Sequence, residues 1–233
     1  GGTATIAPTP TNITKIADNE YTLELGLIDT PDGDEVLTVV PVADAIYDAT
    51  GNPASITQIN NTVTLYDEAL PIITGTTLAA DNSTITVAFS EDVFTAASGS
   101  GDLVASDFTL SISGGTATIA PTPTNITKIA DNEYTLELGL IDTPDGDEVL
   151  TVVPVADAIY DATGNPASIT QINNTVTLYD EALPIITGTT LAADNSTITV
   201  AFSEDVFTAA SGSGDLVASD FTLSISGGTA TIA

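Results

Sequence analysis

The sequence predicts an all-β chain made of tandem copies of one antiparallel β-sandwich. Three observations lead to this prediction: a long internal repeat, short segments in which apolar and polar residues alternate, and turn-forming residues between those segments. The repeat is the strongest of the three, because residues 1–113 recur without a difference as residues 114–226. Residues 227–233 then open a third copy, so we expect the chain to be part of a longer array with a period of 113 residues.

Alternating apolar and polar residues mark strands that bury one face. In residues 83–90, Ile85, Val87 and Phe89 share one face, while threonine and alanine occupy the other. Further strands are predicted at residues 3–7, 20–27, 36–42, 55–66, 71–78 and 107–113. No segment shows a 3.6-residue period, so no α-helix is expected.

Asp, Asn, Gly and Pro cluster between the predicted strands, where their local backbone preferences favour turns. The clusters lie at residues 17–19, 31–34, 50–53, 79–82 and 114–115. About seven short strands in a period slightly above 100 residues are typical of an immunoglobulin-like sandwich. We therefore expect tandem immunoglobulin-like antiparallel β-sandwiches with about seven strands per 113-residue repeat.

The best domain boundary is the segment Tyr-Asp-Glu-Ala-Leu-Pro at residues 66–71, where two acids and a proline separate two apolar runs. This boundary makes residues 67–179 a complete domain. Residues 1–66 are then the C-terminal half of one domain, and residues 180–233 are the N-terminal half of another. Each half exposes a sheet edge, so we expect a neighbouring copy, in the same chain or in another molecule, to complete it.

The charge is strongly one-sided, because 32 Asp and Glu residues face two Lys and no Arg, for a net charge of −30. Such a chain repels nucleic acid and anionic membranes.

No apolar run approaches the roughly 18 residues of a membrane span, so this segment is not expected to insert into a bilayer. Cysteine is absent, which excludes disulfides. An acidic chain with so few cations suits a saline exterior, and we expect an extracellular location.

Three segments carry a resemblance to a known family: TTLAADNSTITVAFSEDV at residues 76–93, VASDFTLS at residues 104–111 and AIYDATGNPAS at residues 45–55. They resemble the bacterial Ig-like repeats in the extender regions of giant secreted, biofilm-associated surface adhesins. The resemblance covers the whole period. It implies modules threaded into long stalks for cell adhesion, exported by type I secretion, with calcium stiffening the junctions.

Catalysis is not expected, because the chain contains no His, Cys, Arg, Met or Trp. It therefore lacks the residues for a Ser-His-Asp or Cys-His site, an arginine clamp or a His-ligated zinc. A carboxylate pair is sufficient in principle for glycoside hydrolysis. However, 6 Tyr and 6 Phe residues spread over two copies do not indicate an aromatic-lined cleft.

The acids suit calcium, a hard cation that binds carboxylate, carbonyl and water oxygens. Tracing the strands up and down places one acidic group, which includes Glu91, Asp92 and Asp48, at the head of a domain, where the chain enters. A second group, which includes Asp32, Asp34 and Glu35 and the linker acids, lies at its tail. Stacked domains bring the two groups together, so a Ca²⁺ site is predicted at each junction. The candidate ligands are Asp32, Asp34, Asp67, Glu68, Glu91, Asp92, Asp145, Asp147, Asp180, Glu181, Glu204 and Asp205. The alternative is that these acids are solvated turn residues.

Lys15 and its copy Lys128 are the only cationic side chains. Each forms either a surface ion pair worth at most about 1 kcal/mol or an isopeptide bond to an Asn or Asp. Asn12, Asn60 and Asn82 begin Asn-X-Thr sequons, so glycosylation stays open.

Three functions are compatible with these features. The first is a structural spacer, since identical modules in series add length without binding a partner. The second is a repeated binding module for a sugar, ice or another cell, although tryptophan is absent and every copy would carry the same site. The third is a self-assembling filament or surface-layer subunit, in which copies of the repeat complete one another's domains.

Overall fold

Antiparallel β-strands account for the regular structure of the described residues, apart from two three-residue 3₁₀ helices. The computed structural model of the protein describes residues 3–228 and residue 231. No α-helix occurs in these residues, and the all-β prediction is confirmed. None of the helices in this part of the chain is long and apolar enough to cross a membrane.

We divide the chain into a leading segment (residues 1–66), a central segment (67–179) and a trailing segment (180–233). The leading segment contains β1 Thr5–Ile6, β2 Asn12–Ala17, β3 Glu20–Glu24, β4 Leu27–Ile28, β5 Val36–Thr38 and β6 Thr62–Thr64. The central segment contains β7 Ile73–Leu78, β8 Thr84–Phe89, β9 Phe108–Ser113, β10 Thr118–Ile119, β11 Asn125–Ala130, β12 Glu133–Glu137, β13 Leu140–Ile141, β14 Val149–Pro154 and β15 Thr175–Thr177. The trailing segment contains β16 Ile186–Leu191 and β17 Ile198–Phe202. The 3₁₀ helices are Ala105–Asp107 and Ala218–Asp220.

Two antiparallel sheets share one core in the central segment, as a β-sandwich requires. The first sheet has the strand order β11-β12-β8-β7, and the second has the order β15-β14-β9. Strands β10 and β13 form a separate pair. Phe89 in the first sheet and Phe108 in the second lie with their ring centroids 6.2 Å apart across the core.

The alternation in the sequence decides which face of each strand is buried. In β8, Ile85, Val87 and Phe89 are buried, while the intervening residues are only half-buried. Tyr134 and Leu136 occupy the same core from β12. These strands therefore have the period of two that half-buried strands require.

The buried hydrophobic residues of the described chain all lie between Ile73 and Leu178. The chain divides into two compact units, residues 1–180 and 181–233. The division after Asp180 falls one residue beyond the predicted boundary between residues 179 and 180. The two-unit division does not separate residues 1–66 from the central segment, and the predicted domain limits stay a prediction.

The leading segment repeats the strand pairs of the second half of the central segment but lacks its core. Strand β3 pairs with β2 in the same register as β12 with β11. Even so, the exposed fraction of Tyr21 in β3 is 51%, whereas that of its copy Tyr134 in β12 is 0%. The same sequence is thus buried where β12 pairs with both β11 and β8, and exposed where β3 pairs with β2 alone.

Candidate functional site

Three carboxylates meet where the chain enters the central segment. Asp67 lies in the linker before β7, Glu91 in the turn after β8, and Asp161 in the loop between β14 and β15. One oxygen from each lies within 4.8 Å of the other two. The linker and two loops of the central segment thus bring acids from three separate parts of the sequence to one place. We call Asp67, Glu91 and Asp161 the carboxylate cluster.

Asp161 is the buried member of the cluster, and its own loop surrounds it with donors. Its Oδ1 accepts backbone N–H bonds from Thr163, Gly164 and Asn165 at 2.6 to 2.9 Å. Its Oδ2 accepts one bond, from Asn165 Nδ2 at 2.8 Å, and has acceptor capacity for a further ligand. Burial raises the pKa of Asp161, but the hydrogen bonds from Asn165 and Thr163 outweigh it, so the pKa lies below its ordinary value. This carboxylate is therefore charged at neutral pH.

The linker that contains Asp67 connects the cluster to the leading segment. The backbone N–H groups of Glu68 and Ala69 donate to the carbonyl of the buried Pro31 at 3.0 and 3.1 Å. On the other side, Asn165 Nδ2 donates to the carbonyl of Asp67 at 3.2 Å. The linker is therefore bonded both to the tail turn of the leading segment and to the Asp161 loop of the central segment.

The electrostatics of the cluster disfavour three negative charges. Burial raises the pKa of Glu91 to about 7, and the negative charges of Asp161 and Asp67 contribute to the rise. Burial also raises the pKa of Asp67, again with contributions from Asp161 and from Asp32. No lysine neutralises these acids, since both lysines form ion pairs elsewhere, in the described part of the chain. A bound proton or a bound cation would therefore relieve the repulsion between these carboxylates.

The separation of the three oxygens fits a hard divalent cation. Ca²⁺ binds oxygen at about 2.3 to 2.6 Å, so two ligands on opposite sides of one ion lie about 5 Å apart. Because the three oxygens lie within 4.8 Å of one another, a single ion of this size is able to contact all three. Carboxylate oxygens of Asp67, Glu91 and Asp161 would contact the ion, and Asp161 would do so through Oδ2, which accepts only one hydrogen bond.

The structure brings two of the twelve predicted ligands, Asp67 and Glu91, into the cluster. Their neighbours Glu68 and Asp92 are exposed and lie outside it. Asp32 contributes to the raised pKa values of Asp67 and Glu91, and so lies close enough to influence them. Within the described residues, no second group of three acids approaches this closely.

The remaining predicted ligands lie in turns and linkers. Asp34 is exposed, and its backbone N–H donates to Asp32 Oδ1 at 3.2 Å. Asp145 and Asp147 repeat this arrangement at 3.2 Å. Gly146 lies against Asp180 as Gly33 lies against Asp67. A Cβ added at either glycine would lie 3.1 to 3.2 Å from the Cβ of the aspartate. Three further predicted ligands are exposed: Glu181, Glu204 and Asp205.

Two buried acids of the central segment, one at each end, were not among the candidate ligands. Asp161 is one, although its copy Asp48 falls in the Asp-Ala-Thr-Gly-Asn sequence typical of an Asx-type turn. Glu148 is the other: it is fully buried and accepts backbone N–H bonds that fix the turn containing Asp145 and Gly146. Neither burial is visible in the sequence, because acids with these neighbours also occur in exposed turns.

Lys128 is engaged by two carboxylates. Its Nζ lies 2.5 Å from Asp102 Oδ1 and 2.6 Å from Asp131 Oδ1. These hydrogen bonds raise its pKa, so it is charged at neutral pH. Lys15 pairs with Asp18 alone. Because all three aspartates are largely exposed, water and salt screen these ion pairs, and they contribute little to stability. The isopeptide bond stays a prediction.

No protein-family model, curated protein or solved structure matches the chain. The resemblance to adhesin extender repeats accordingly stays a prediction. The candidate site rests on its own geometry.

The raised pKa of Glu91 predicts a specific dependence of stability on pH. Between its ordinary value of 4.5 and about 7, the folded state binds more protons at this group than the unfolded state. The free energy of unfolding should therefore increase as pH falls across this window. Thermal melts in excess chelator should show this rise for the natural sequence and a flatter profile for Glu91→Gln. Asp92→Asn, which removes the same charge from the exposed neighbour, should keep the natural slope; an equally flat profile for it would contradict the assignment to Glu91.

Proposed function

We propose that the chain is a non-catalytic spacer from an extracellular stalk of tandem immunoglobulin-like domains, stiffened at each domain junction by Ca²⁺. The observation that carries the proposal is the error-free repeat of 113 residues, which includes the linker and both of its neighbouring turns. Identical modules joined by identical linkers add length in equal steps. They do not diversify a surface, as a set of different binding modules would.

The strand order supports an immunoglobulin-like domain in residues 67–179. If β7, β8, β9, β11, β12, β14 and β15 are labelled A to G in chain order, the two sheets have the orders D-E-B-A and G-F-C. These are the sheets of the seven-strand constant-type immunoglobulin sandwich. The same order supports a domain boundary close to Asp67, because strand A then begins shortly after the linker.

The contacts of the linker support a stiff junction. The linker bonds backward to the carbonyl of Pro31 and is contacted from the following loop by Asn165. Gly33 is required in the tail turn, since its φ is +84° and the Asp67 side chain lies against it. A junction with direct bonds on both sides transmits orientation from one module to the next better than a flexible linker does.

Calcium is proposed because the junction concentrates charge without a cation from the chain. The carboxylate cluster lies where the linker meets the following module, and Asp32 of the preceding module influences it. A bound ion would join Asp67 in the linker to Glu91 and Asp161 in the following module. Its effect would be to relieve repulsion in the folded state and to fix the linker. Such a stalk fits the surface adhesins that the sequence resembles.

Calcium should stabilise the fold and straighten the array. A ligand present at 100 times its dissociation constant, and bound only by the folded state, adds about 2.7 kcal/mol. Thermal melts in millimolar calcium should therefore exceed those in excess chelator, at matched ionic strength, by on the order of 10 °C. Small-angle X-ray scattering at low protein concentration should show a larger maximum dimension in calcium than in chelator. The spread of maximum dimensions should be narrower in calcium.

Matched variants separate the cluster from the general acidity of the chain. Asp67→Asn and Glu91→Gln should shrink the calcium-dependent shift, because both residues belong to the cluster. Glu68→Gln and Asp92→Asn should leave it intact, since these exposed neighbours lie outside the cluster. Equal melting temperatures in calcium and chelator would contradict the calcium site. A maximum dimension that does not grow in proportion to the number of repeats would contradict the spacer.

A further inference from the structure

The first and last parts of the central segment run side by side in the same direction. Strand β7 follows the linker at residues 66–71, β15 precedes the copy of that linker, and the two strands belong to different sheets. Even so, hydrogen bonds join residues 67–82 to residues 165–179. The partners are 97 or 98 residues apart throughout, so both advance together along the chain. The entering and leaving segments are therefore aligned in parallel.

The series begins near the head of the domain with the bond from Asn165 to the linker. Next, the backbone N–H of Ser168 donates to the carbonyl of Pro71 at 3.0 Å. The backbone N–H of Ile73 then donates to Gln171 Oε1 at 2.7 Å. Ile73 is fully buried, so its N–H depends on this side chain for a partner.

Asn82 ends the series at the tail of the domain. Its Nδ2 donates to the carbonyl of Tyr179 at 2.9 Å, and its Oδ1 accepts the backbone N–H of Tyr179 at 2.9 Å. The amide thus bonds the backbone on both sides, as a neighbouring strand would. Asn82 is 1% exposed and has φ +52°, a left-handed conformation that asparagine tolerates better than most residues. The turn between β7 and β8 therefore holds the residue from which the chain leaves the domain.

We propose that these bonds, which we call the entry–exit bonds, carry tension along the stalk, so that the central segment is a load-bearing module. The inference rests on the proposed spacer, because a stalk that joins two attachment points is pulled along its length. Tension enters the module at the linker before β7 and leaves it at the linker after β15. The entry–exit bonds connect these two places directly, so force passes between the two segments before it reaches the rest of either sheet.

The parallel alignment determines how the entry–exit bonds respond to force. Pulling the two linkers apart slides the entering segment along the leaving segment, because the force acts at opposite ends of the pair. All of the entry–exit bonds are then loaded at once. Force applied at the head of both segments would instead separate them one bond at a time. Since forced unfolding is governed by the height of the unfolding barrier, we expect the module to resist pulling along the stalk more than pulling across it.

Cysteine handles define the direction of pulling, because the chain contains no cysteine of its own. In the full-length chain, Glu68→Cys with Asp180→Cys places handles at exposed positions where the chain enters and leaves the module. Glu68→Cys with Thr170→Cys places both handles close to the head, again at exposed positions. Optical tweezers at constant force, in excess chelator, should give an unfolding rate about tenfold lower or more along the stalk, because at least two further hydrogen bonds must break together.

Asn82→Gly tests the series at its tail. Glycine keeps the left-handed conformation and loses both bonds to Tyr179. Along the stalk, the unfolding rate at constant force should rise about tenfold, as expected for the loss of two ordinary hydrogen bonds. With both handles near the head the rate should change far less, because Asn82 is then the last member of the series to be loaded.

Leu136→Ala is the control for general destabilisation. It removes a fully buried core side chain but no entry–exit bond, so it should accelerate unfolding by similar factors in both directions. If Asn82→Gly also accelerated unfolding equally in both directions, Asn82 would stabilise the fold without carrying tension, and its assignment would be wrong. Equal unfolding rates of the natural sequence in the two directions would overturn the load-bearing role, and this comparison needs no substitution within the series.

The length released on unfolding separates this inference from the spacer on which it rests. Along the stalk, the 112 residues from 69 to 180 should extend in one step, which gives roughly 370 to 400 Å of extended chain before the folded length is subtracted. Release in several smaller steps would show that these residues are not one module, and both proposals would fall. A single step with equal rates in the two directions would remove the load-bearing role and leave the spacer and its calcium site standing.

Discussion

Leu136→Ala should lower the free energy of unfolding by about 2 to 5 kcal/mol, because it removes a fully buried side chain from the core of the central segment. Leu23→Ala, the same substitution at the same position of the repeat, should lower it far less. Leu23 is only half-buried, and its strand β3 pairs with β2 alone, whereas β12 pairs with both β11 and β8. For a domain of this size, the loss of free energy in Leu136→Ala corresponds to a fall in melting temperature of roughly 8 to 20 °C.

The comparison should be made by urea and thermal unfolding of the two variants and the natural sequence. Equal losses from the two substitutions would contradict the difference in burial. A difference in the denaturant slope would show that the unfolded state had changed as well.

The alternating strands were predictable because their burial depends on neighbours two residues apart. Residues 83–90 contain all of β8 and residues 107–113 contain all of β9, and both bury the face that the sequence indicates. Strand β11 and its copy β2 were not predicted. Half of their sequence, Asn-Ile-Thr-Lys-Ile-Ala, is polar, and β11 lies at the edge of its sheet with one strand partner. An edge strand of this kind lacks the apolar period that marks a half-buried strand.

The predicted strand at residues 55–66 is mostly loop, and only Thr62–Thr64 forms β6. Local side-chain bonds explain the difference. In the equivalent region of the central segment, Ser168 Oγ accepts the backbone N–H of Thr170 at 3.1 Å, and Gln171 Nε2 donates to the carbonyl of Ser168. Such bonds satisfy the backbone without a neighbouring strand and compete with sheet formation. A high threonine content alone therefore overestimated the strand.

The candidate site was predictable only where a local rule applied. The linker acids and the turn after β8 stood out as charges beside apolar runs, which identified Asp67 and Glu91. Tracing the strands placed Asp48, the copy of Asp161, at the head of a domain with Glu91, but it was not chosen as a ligand. The burial of Asp161 and its proximity to Asp67, 94 residues away in sequence, depend on the folded loop. Conversely, Glu68 and Asp92 share every local feature of their neighbours but point to no common centre in the described residues.

Glu148→Gln should destabilise the central segment by about 2 to 6 kcal/mol, since Glu148 is a fully buried acceptor for two pairs of backbone donors. Its Oε1 accepts the N–H groups of Thr116 and Ala117, both at 2.8 Å. Its Oε2 accepts those of Asp145 and Gly146 at 3.0 and 3.1 Å. An amide has only one acceptor oxygen, so its NH₂ group would face one pair of donors. Each stranded donor costs about 1 to 3 kcal/mol.

The pH dependence gives this prediction a second measurement. Burial raises the pKa of Glu148, but the backbone hydrogen bonds outweigh it, so the folded pKa lies below the ordinary value of 4.5. The stability from this group is therefore present above pH 4.5 and is lost as pH falls through the folded pKa. The natural sequence should lose melting temperature on acidification through this range, and Glu148→Gln should lose less.

Glu35→Gln is the matched control, because Glu35 occupies the same position in the leading segment. Its carboxylate accepts N–H bonds from Ala4 at 2.7 Å and from Asp32 at 3.1 Å, but it is only half-buried. Water can therefore replace the lost acceptor, and the main unfolding transition of the dilute chain should change little. If Glu148→Gln proved as mild as Glu35→Gln, the turn before β14 would not depend on a buried carboxylate. The placement of Asp145 and Gly146 at the tail of the module would then need another cause, such as the left-handed conformation of Gly146 at φ +86°.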